Sequence, residues 1–73
     1  MEINKVKHFR KVGEFSIREL SVVSGISTAT IVAIERYGYL PGPDVRAKLV
    51  KVLGVSEAVI WPNLEVVNNG KQK

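Results

Sequence analysis

The side chains of this 73-residue chain that could do chemistry include hydroxyl and carboxylate groups at helix-start spacing. Ser16 stands three residues before Glu19, where each side chain can bond the other residue's backbone N–H and so begin a helix. Ser27 can begin a second helix in the same way. Gly25 lies between them and suits the positive φ that ends a helix, because a residue without Cβ meets no steric penalty there. The pattern predicts two short helices joined by a sharp turn. The chemistry of these side chains is hydrogen bonding to backbone N–H groups at the helix starts.

Patterns typical of catalysis or metal binding are missing from the sequence. It has no cysteine and one histidine, His8. It also has no glycine-rich phosphate loop and no pair of carboxylates on one rigid face. We therefore expect no enzyme activity, no metal, no cofactor and no small-molecule ligand. Apolar runs are far shorter than the roughly 20 residues that cross a bilayer, and the start has no signal-peptide core, so the expected location is cytoplasmic, with no membrane partner.

The charge balance favours an anionic partner without identifying one. The formal net charge is +4 and the isoelectric point is about 9.7, and lysine and arginine displace counterions from nucleic-acid phosphates. Residues 16 to 38, however, contain two arginines and two glutamates and are neutral overall. Composition alone therefore leaves a mildly basic soluble domain as an equal alternative.

Apolar spacing and helix breakers predict a single all-α domain of five helices. The first helix is expected over about Asn4 to Val12, followed by the serine-capped pair. A fourth helix is expected to run from a cap at Asp44 to Leu53. A fifth is expected to begin at Ser56 and to stop before Pro62.

The domain is expected to occupy residues 1–64. Residues 65–73 have no periodicity and are expected to form a disordered polar tail. Within this tail, Val66 and Val67 could form a short edge strand or could pack over a neighbouring element, and the sequence favours neither. Trp61 is expected to close the core and is less suited to be a stacking platform. The other expected core residues are Val6, Phe9, Ile17, Leu20, Ile26, Ile31, Ile34, Val45, Leu49, Val50, Val52 and Leu53.

With these helices in order, the chain resembles the phage repressor and Cro (XRE) family of helix-turn-helix DNA-binding domains. The resemblance spans about Val6 to Pro62 and is carried by the strings VKHFRKVGEFSIREL, SGISTATIVAIERYG and KLVKVLGVSEAVIWP. It implies a compact five-helix, lambda-repressor-like fold in which helices 2 and 3 form the helix-turn-helix. It also implies a sequence-specific transcriptional regulator that binds double-stranded DNA, as family members commonly do in the form of a homodimer.

The resemblance implies that the helix from Thr28 to Arg36 reads bases in the major groove. A threonine hydroxyl can bond a purine or a pyrimidine edge, and methyl groups can touch the thymine methyl. This helix has no Arg, Asn or Gln before Arg36, so we expect modest direct readout and more reliance on phosphates, shape and water. The alternative is an ordinary exposed first turn. The expected base-reading residues are Ser27, Thr28, Ala29, Val32 and Ala33.

The resemblance also implies phosphate contacts and one ion pair around this helix. Many family members have an anchoring glutamine where this chain has Ile17, so backbone N–H groups at that helix start must hold the phosphate. Arg10 and Glu35 are expected to form a partly buried ion pair, with two solvated charges as the alternative. The expected phosphate-contacting residues are Ser16, Ile17, Arg18, Arg36, Tyr37, Tyr39 and Lys48. For the last four, which are proposed from their position alone, an ordinary solvated surface residue is the equal alternative.

A protein-interaction module is the alternative to a regulator, for example an antitoxin-like or adaptor domain with weak DNA binding. The neutral charge of residues 16 to 38 and the presence of Ile17 favour it. Val22 and Val23 fall where the family usually has charged residues. They are either scattered surface valines or a contact for a partner.

Overall fold

The computed structural model describes residues 4–64, and over this range the chain forms five α-helices and no strand. The helices are α1 (Val6–Val12), α2 (Ile17–Ser24), α3 (Thr28–Tyr37), α4 (Pro43–Leu53) and α5 (Glu57–Ile60). The all-α fold, with its helix-turn-helix formed by the second and third helices, is confirmed. Residues 65–73, on which the tail prediction falls, lie outside the described residues.

α2 and α3 begin at serines that cap them through side-chain hydrogen bonds. The backbone N–H of Glu19 donates to Ser16 Oγ at 3.0 Å, and the N–H of Ser16 donates to the Glu19 carboxylate at 2.8 Å. The N–H of Thr30 donates to Ser27 Oγ at 3.1 Å. Gly25 ends α2 in the left-handed region, with φ of 76°. Local chemistry therefore makes the sharp turn that the sequence predicted.

The core is formed where α1, α2, α3 and α4 meet, with α5 closing it. α2 packs against α3 and α4, α1 packs against the same two helices, and α5 packs against α4. Each fully buried large aliphatic side chain contributes roughly 1.5–3 kcal/mol relative to an exposed one. Trp61 is 5% exposed and closes the core as expected. The buried hydrophobic residues are Val6, Leu20, Ile26, Ile31, Ile34, Leu49, Ile60 and Trp61.

Two helix starts differ from the predictions. α1 begins at Val6, because Asn4 is buried outside the helix and bonds two separate parts of the chain. Its Oδ1 accepts from the N–H of Val6 at 3.0 Å, and its Nδ2 donates to the carbonyl of Ile34 at 2.9 Å. α4 begins at Pro43, one residue before the expected cap at Asp44, because the fixed φ of proline suits the first helical position.

Two further details correct the sequence-based boundaries. α3 extends one residue beyond Arg36, to Tyr37. Ser56 does precede α5, but its hydroxyl makes no capping bond. That helix is short and depends on the packing of Ile60 rather than on a side-chain cap.

The turn after α1 places its left-handed residue at a glutamate rather than at the neighbouring glycine. Glu14 has φ of 63°, whereas Gly13 ends α1 at φ of −80°. A Cβ at Gly13 would lie 2.9 Å from the Phe15 ring, so a larger residue there would require that ring to shift. The backbone at Glu14 therefore stores strain that a glycine would not.

Candidate nucleic-acid interface

The start of α3 has exposed side chains at three successive positions. Ser27, Thr28 and Ala29 are exposed, and Val32 and Ala33 are half-buried one turn later. Positions four apart on a helix lie on the same face, so Thr28 lies beside Val32 and Ala29 beside Ala33. The five residues expected to read bases are therefore close together on the molecular surface.

The opposite side of α3 fixes the helix on the core. Ile31 and Ile34 are fully buried, and the carbonyl of Ile34 accepts the bond from Asn4. α3 is therefore anchored along one side, while the side that includes Thr28 and Ala29 is accessible to a partner.

The hydroxyl of Ser27 is already engaged within the protein. It accepts from the N–H of Thr30 and donates to Thr30 Oγ1 at 2.9 Å. Each of the two hydroxyls has one hydrogen, and their mutual bond uses one of the two, so the pair keeps one hydroxyl hydrogen for a further partner. Sequence reasoning missed the second bond, although a serine and a threonine three residues apart at a helix start were a visible signal.

Arg10 joins three segments around this helix. Its Nε and Nη2 donate to the two carboxylate oxygens of Glu35 at 2.8 and 3.1 Å, and its Nη1 donates to the carbonyl of Phe15 at 2.8 Å. The side chains of Arg10 and Glu35 are 10% and 3% exposed. This buried pair therefore ties α1 and the entry to α2 to the last turns of α3.

The charge that α3 presents to its surroundings comes from one residue. Its single carboxylate, Glu35, is neutralised by Arg10, while Arg36 on the next position is exposed. The first two turns of α3 carry no charged side chain. Electrostatic attraction to phosphates must therefore come from the ends of the helix-turn-helix and from α4.

The start of α2 combines donors suited to a phosphate with one opposing charge. The N–H groups of Ser16 and Glu19 are used in the capping box, which leaves those of Ile17 and Arg18 as the free donors of the first turn. The side chain of Ile17 packs against the core. The Glu19 carboxylate lies at the same helix end, where it would repel a phosphate.

The other residues expected to contact phosphates are on the surface. Arg18, Arg36 and Lys48 are exposed. Tyr37, the last residue of α3, is 77% exposed, and Tyr39, two residues later, is 52% exposed. Exposure makes these contacts feasible for each of them.

A second arginine holds the connection between α3 and α4, and sequence reasoning did not identify it. Arg46 Nε donates to the Glu57 carboxylate, and its Nη1 donates to the carbonyl of Pro41 at 2.7 Å. No helical spacing relates Arg46 to Glu57, so only the fold reveals the pair. Like Arg10, this residue binds one carboxylate and one loop carbonyl. Tyr39 is held beside α3 by its own backbone N–H, which donates to the carbonyl of Ala33 at 3.1 Å.

Residues 4–64 contain no group of three or more His, Cys, Asp or Glu side chains arranged to hold a metal ion. No helix in the same range is both long and apolar enough to cross a membrane.

Comparison with known proteins identified one family. A family model described as "Helix-turn-helix" matches residues 6–60, a span that contains all five helices. The match confirms the family resemblance that the three sequence strings indicated. A search of curated proteins found no match.

Proposed function

The chain belongs to the helix-turn-helix family, and from that premise we propose that it is a sequence-specific transcriptional regulator that inserts α3 into the major groove of an operator. DNA binding in general follows from the family. The observation that supports operator reading is the exposed first turn of α3, held on the core by the buried side chains of Ile31 and Ile34.

In the proposed complex the base edges face the first two turns of α3. The backbone N–H groups at the start of α2 hold one phosphate, since helix N-termini attract anions. Residues near the end of α3 and on α4 hold phosphates on the other side of the groove. The proposed base-reading residues are Ser27, Thr28, Ala29, Val32 and Ala33. The proposed phosphate contacts are Ser16, Ile17, Arg18, Arg36, Tyr37, Tyr39 and Lys48.

This arrangement sets the expected salt dependence of binding. Each neutralised phosphate contributes about −0.9 to the slope of log K against log salt. Arg18, Arg36 and Lys48 are the cations among the proposed phosphate contacts, so a monomer should give a slope near −3. A two-fold homodimer on an inverted repeat, with half-sites about 34 Å apart, should give about twice that slope.

The first experiment is selection of DNA from a random-sequence pool, followed by titration of the enriched duplex at several salt concentrations. We expect a short enriched motif and the salt slope given above. Failure to enrich any motif, together with salt-independent binding, would refute sequence-specific regulation.

A matched pair of variants tests the reading surface. Thr28→Glu with Ala29→Glu places two carboxylates in the proposed groove contact and should abolish binding to the selected duplex. Val22→Glu with Val23→Glu adds the same charges to α2, outside that contact, and should weaken binding far less. Equal losses in both variants would place the reading surface elsewhere.

A protein-interaction module is the second candidate, and the exposure of α2 favours it. Val22 is 76% exposed and Val23 is 53% exposed, which leaves two adjacent apolar side chains in water. If this is the function, the α2 double variant should lose a stable protein partner, while the purified protein shows no preference among DNA sequences.

A further inference from the structure

The reading face of α3 has a narrow chemistry, and the major groove offers only one feature that matches it well. Base pairs in that groove differ in their hydrogen-bond donors and acceptors and in the C5-methyl group of thymine. We propose that α3 recognises thymine methyl groups as the main sequence-bearing feature of its operator, an inference that rests on the proposed DNA-binding function.

The polar groups at the start of α3, and Glu35 near its end, are committed elsewhere or discriminate poorly, while Arg36 is a proposed phosphate contact. The hydroxyls of Ser27 and Thr30 bond each other at 2.9 Å, so this pair keeps one hydroxyl hydrogen, and a single hydroxyl donor discriminates weakly among base edges. Glu35 is 3% exposed and paired with Arg10, so it cannot accept from the cytosine amino group. The hydroxyl of Thr28 can donate or accept and therefore suits several bases equally.

The apolar groups, in contrast, are accessible and adjacent. Thr28 and Ala29 are exposed, and Val32 and Ala33 are half-buried one turn away. Four residues of helix rise about 6 Å, and successive base pairs are about 3.4 Å apart. The methyl-bearing face therefore spans about two base steps, which is enough to contact two thymine methyls.

The expected effect per methyl group follows from the free energy of burying it. Removing one buried methyl should weaken binding roughly fourfold, and removing two that act independently should weaken it roughly 16-fold. If affinity depended instead on a bidentate side chain that contacts a guanine or an adenine, removal of a thymine methyl group would leave the affinity unchanged.

Deoxyuridine is the probe, because it pairs as thymine does and lacks only the C5-methyl group. Each thymine of the selected duplex is replaced singly, and the dissociation constant is measured for the intact protein. We expect a roughly fourfold loss at two or more thymines inside the motif and no loss at thymines in the flanking DNA.

Two conservative variants assign the effect to α3. Thr28→Ser removes one methyl group and keeps the hydroxyl, and Val32→Ala removes two methyl groups. Each should reduce the deoxyuridine penalty at one thymine toward no effect. Val22→Ala makes the same change as Val32→Ala on the exposed face of α2 and should leave every penalty unchanged. Thermal melting followed by circular dichroism verifies that all three variants fold.

The outcomes separate this inference from the function on which it rests. A selected duplex that binds equally tightly with deoxyuridine throughout would overturn methyl recognition and leave operator binding intact. Penalties that are unchanged in both Thr28→Ser and Val32→Ala would also overturn it, since the methyl groups would then face another element. If no motif can be selected at all, both the function and the inference fail.

Discussion

Removal of the Glu35 carboxylate should destabilise this domain more than the loss of any other carboxylate among the described residues. In Glu35→Ala, the Arg10 guanidinium keeps its bond to the Phe15 carbonyl but remains buried without a counter-charge. Stranding one member of a buried pair typically costs about 3–5 kcal/mol. At about 0.05–0.15 kcal/mol per residue, a chain of this length has about 4–11 kcal/mol of stability in total.

The matched control is Glu57→Ala, which removes the other arginine partner. Glu57 is 44% exposed and Arg46 is 19% exposed, so water reaches this pair and can solvate Arg46 after the change. Solvent screening limits the expected loss to about 0–1 kcal/mol. Both variants remove a carboxylate from an arginine, and they differ in burial and in the number of bonds lost, two at Glu35 and one at Glu57.

Urea unfolding followed by helical circular dichroism measures both free energies of unfolding. Glu35→Ala should lose at least about 3 kcal/mol, which lowers the melting temperature by roughly 12 °C or more. A double variant, Arg10→Met with Glu35→Leu, should recover most of the loss, because it removes the stranded charge and fills the same space.

The reasoning is wrong if Glu35→Ala loses no more stability than Glu57→Ala. It is also wrong if the Arg10→Met and Glu35→Leu double variant is as unstable as Glu35→Ala alone. In either case the burial of the pair would not determine its contribution.

Three further predictions test the helix ends. Glu14→Gly relieves the left-handed backbone at this position and should raise the free energy of unfolding by about 0.5–1 kcal/mol; a melting temperature that does not rise would contradict the strain. Ser27→Ala removes a capping bond and should cost about 1 kcal/mol in urea unfolding, whereas Ser56→Ala, which removes no such bond, should change stability little; equal losses would show that capping does not distinguish them. Glu19→Gln keeps an acceptor for the Ser16 N–H and removes the negative charge at the proposed phosphate site, so it should tighten binding to the selected duplex about two- to fivefold at low salt; unchanged affinity would mean that no phosphate approaches the start of α2.

The helix-turn-helix itself was predictable because its signals are local. Ser16, Gly25 and Ser27 act through bonds and backbone angles within three residues of themselves, so their effects can be derived from short strings. The exposure of Thr28 and Ala29 followed from the same periodicity that buried Ile31 and Ile34.

The features that sequence reasoning missed depend on contacts between distant residues. Asn4 was expected inside α1, but its side chain bonds the carbonyl of Ile34, thirty positions away. The pair of Arg46 and Glu57 depends on how α4 and α5 meet. The bond between Ser27 and Thr30 is the exception. It is local, and it was missed because no partner was considered for the threonine hydroxyl.

The separation of the two sides of α3 affects how readily such a domain can change its target. Ile31 and Ile34 maintain the fold, and Glu35 maintains the orientation of the helix, while Thr28 and Ala29 contribute little to either. Substitutions at the exposed positions are therefore expected to alter DNA preference at small expense in stability. Such a helix allows new specificities to evolve one residue at a time on an unchanged scaffold.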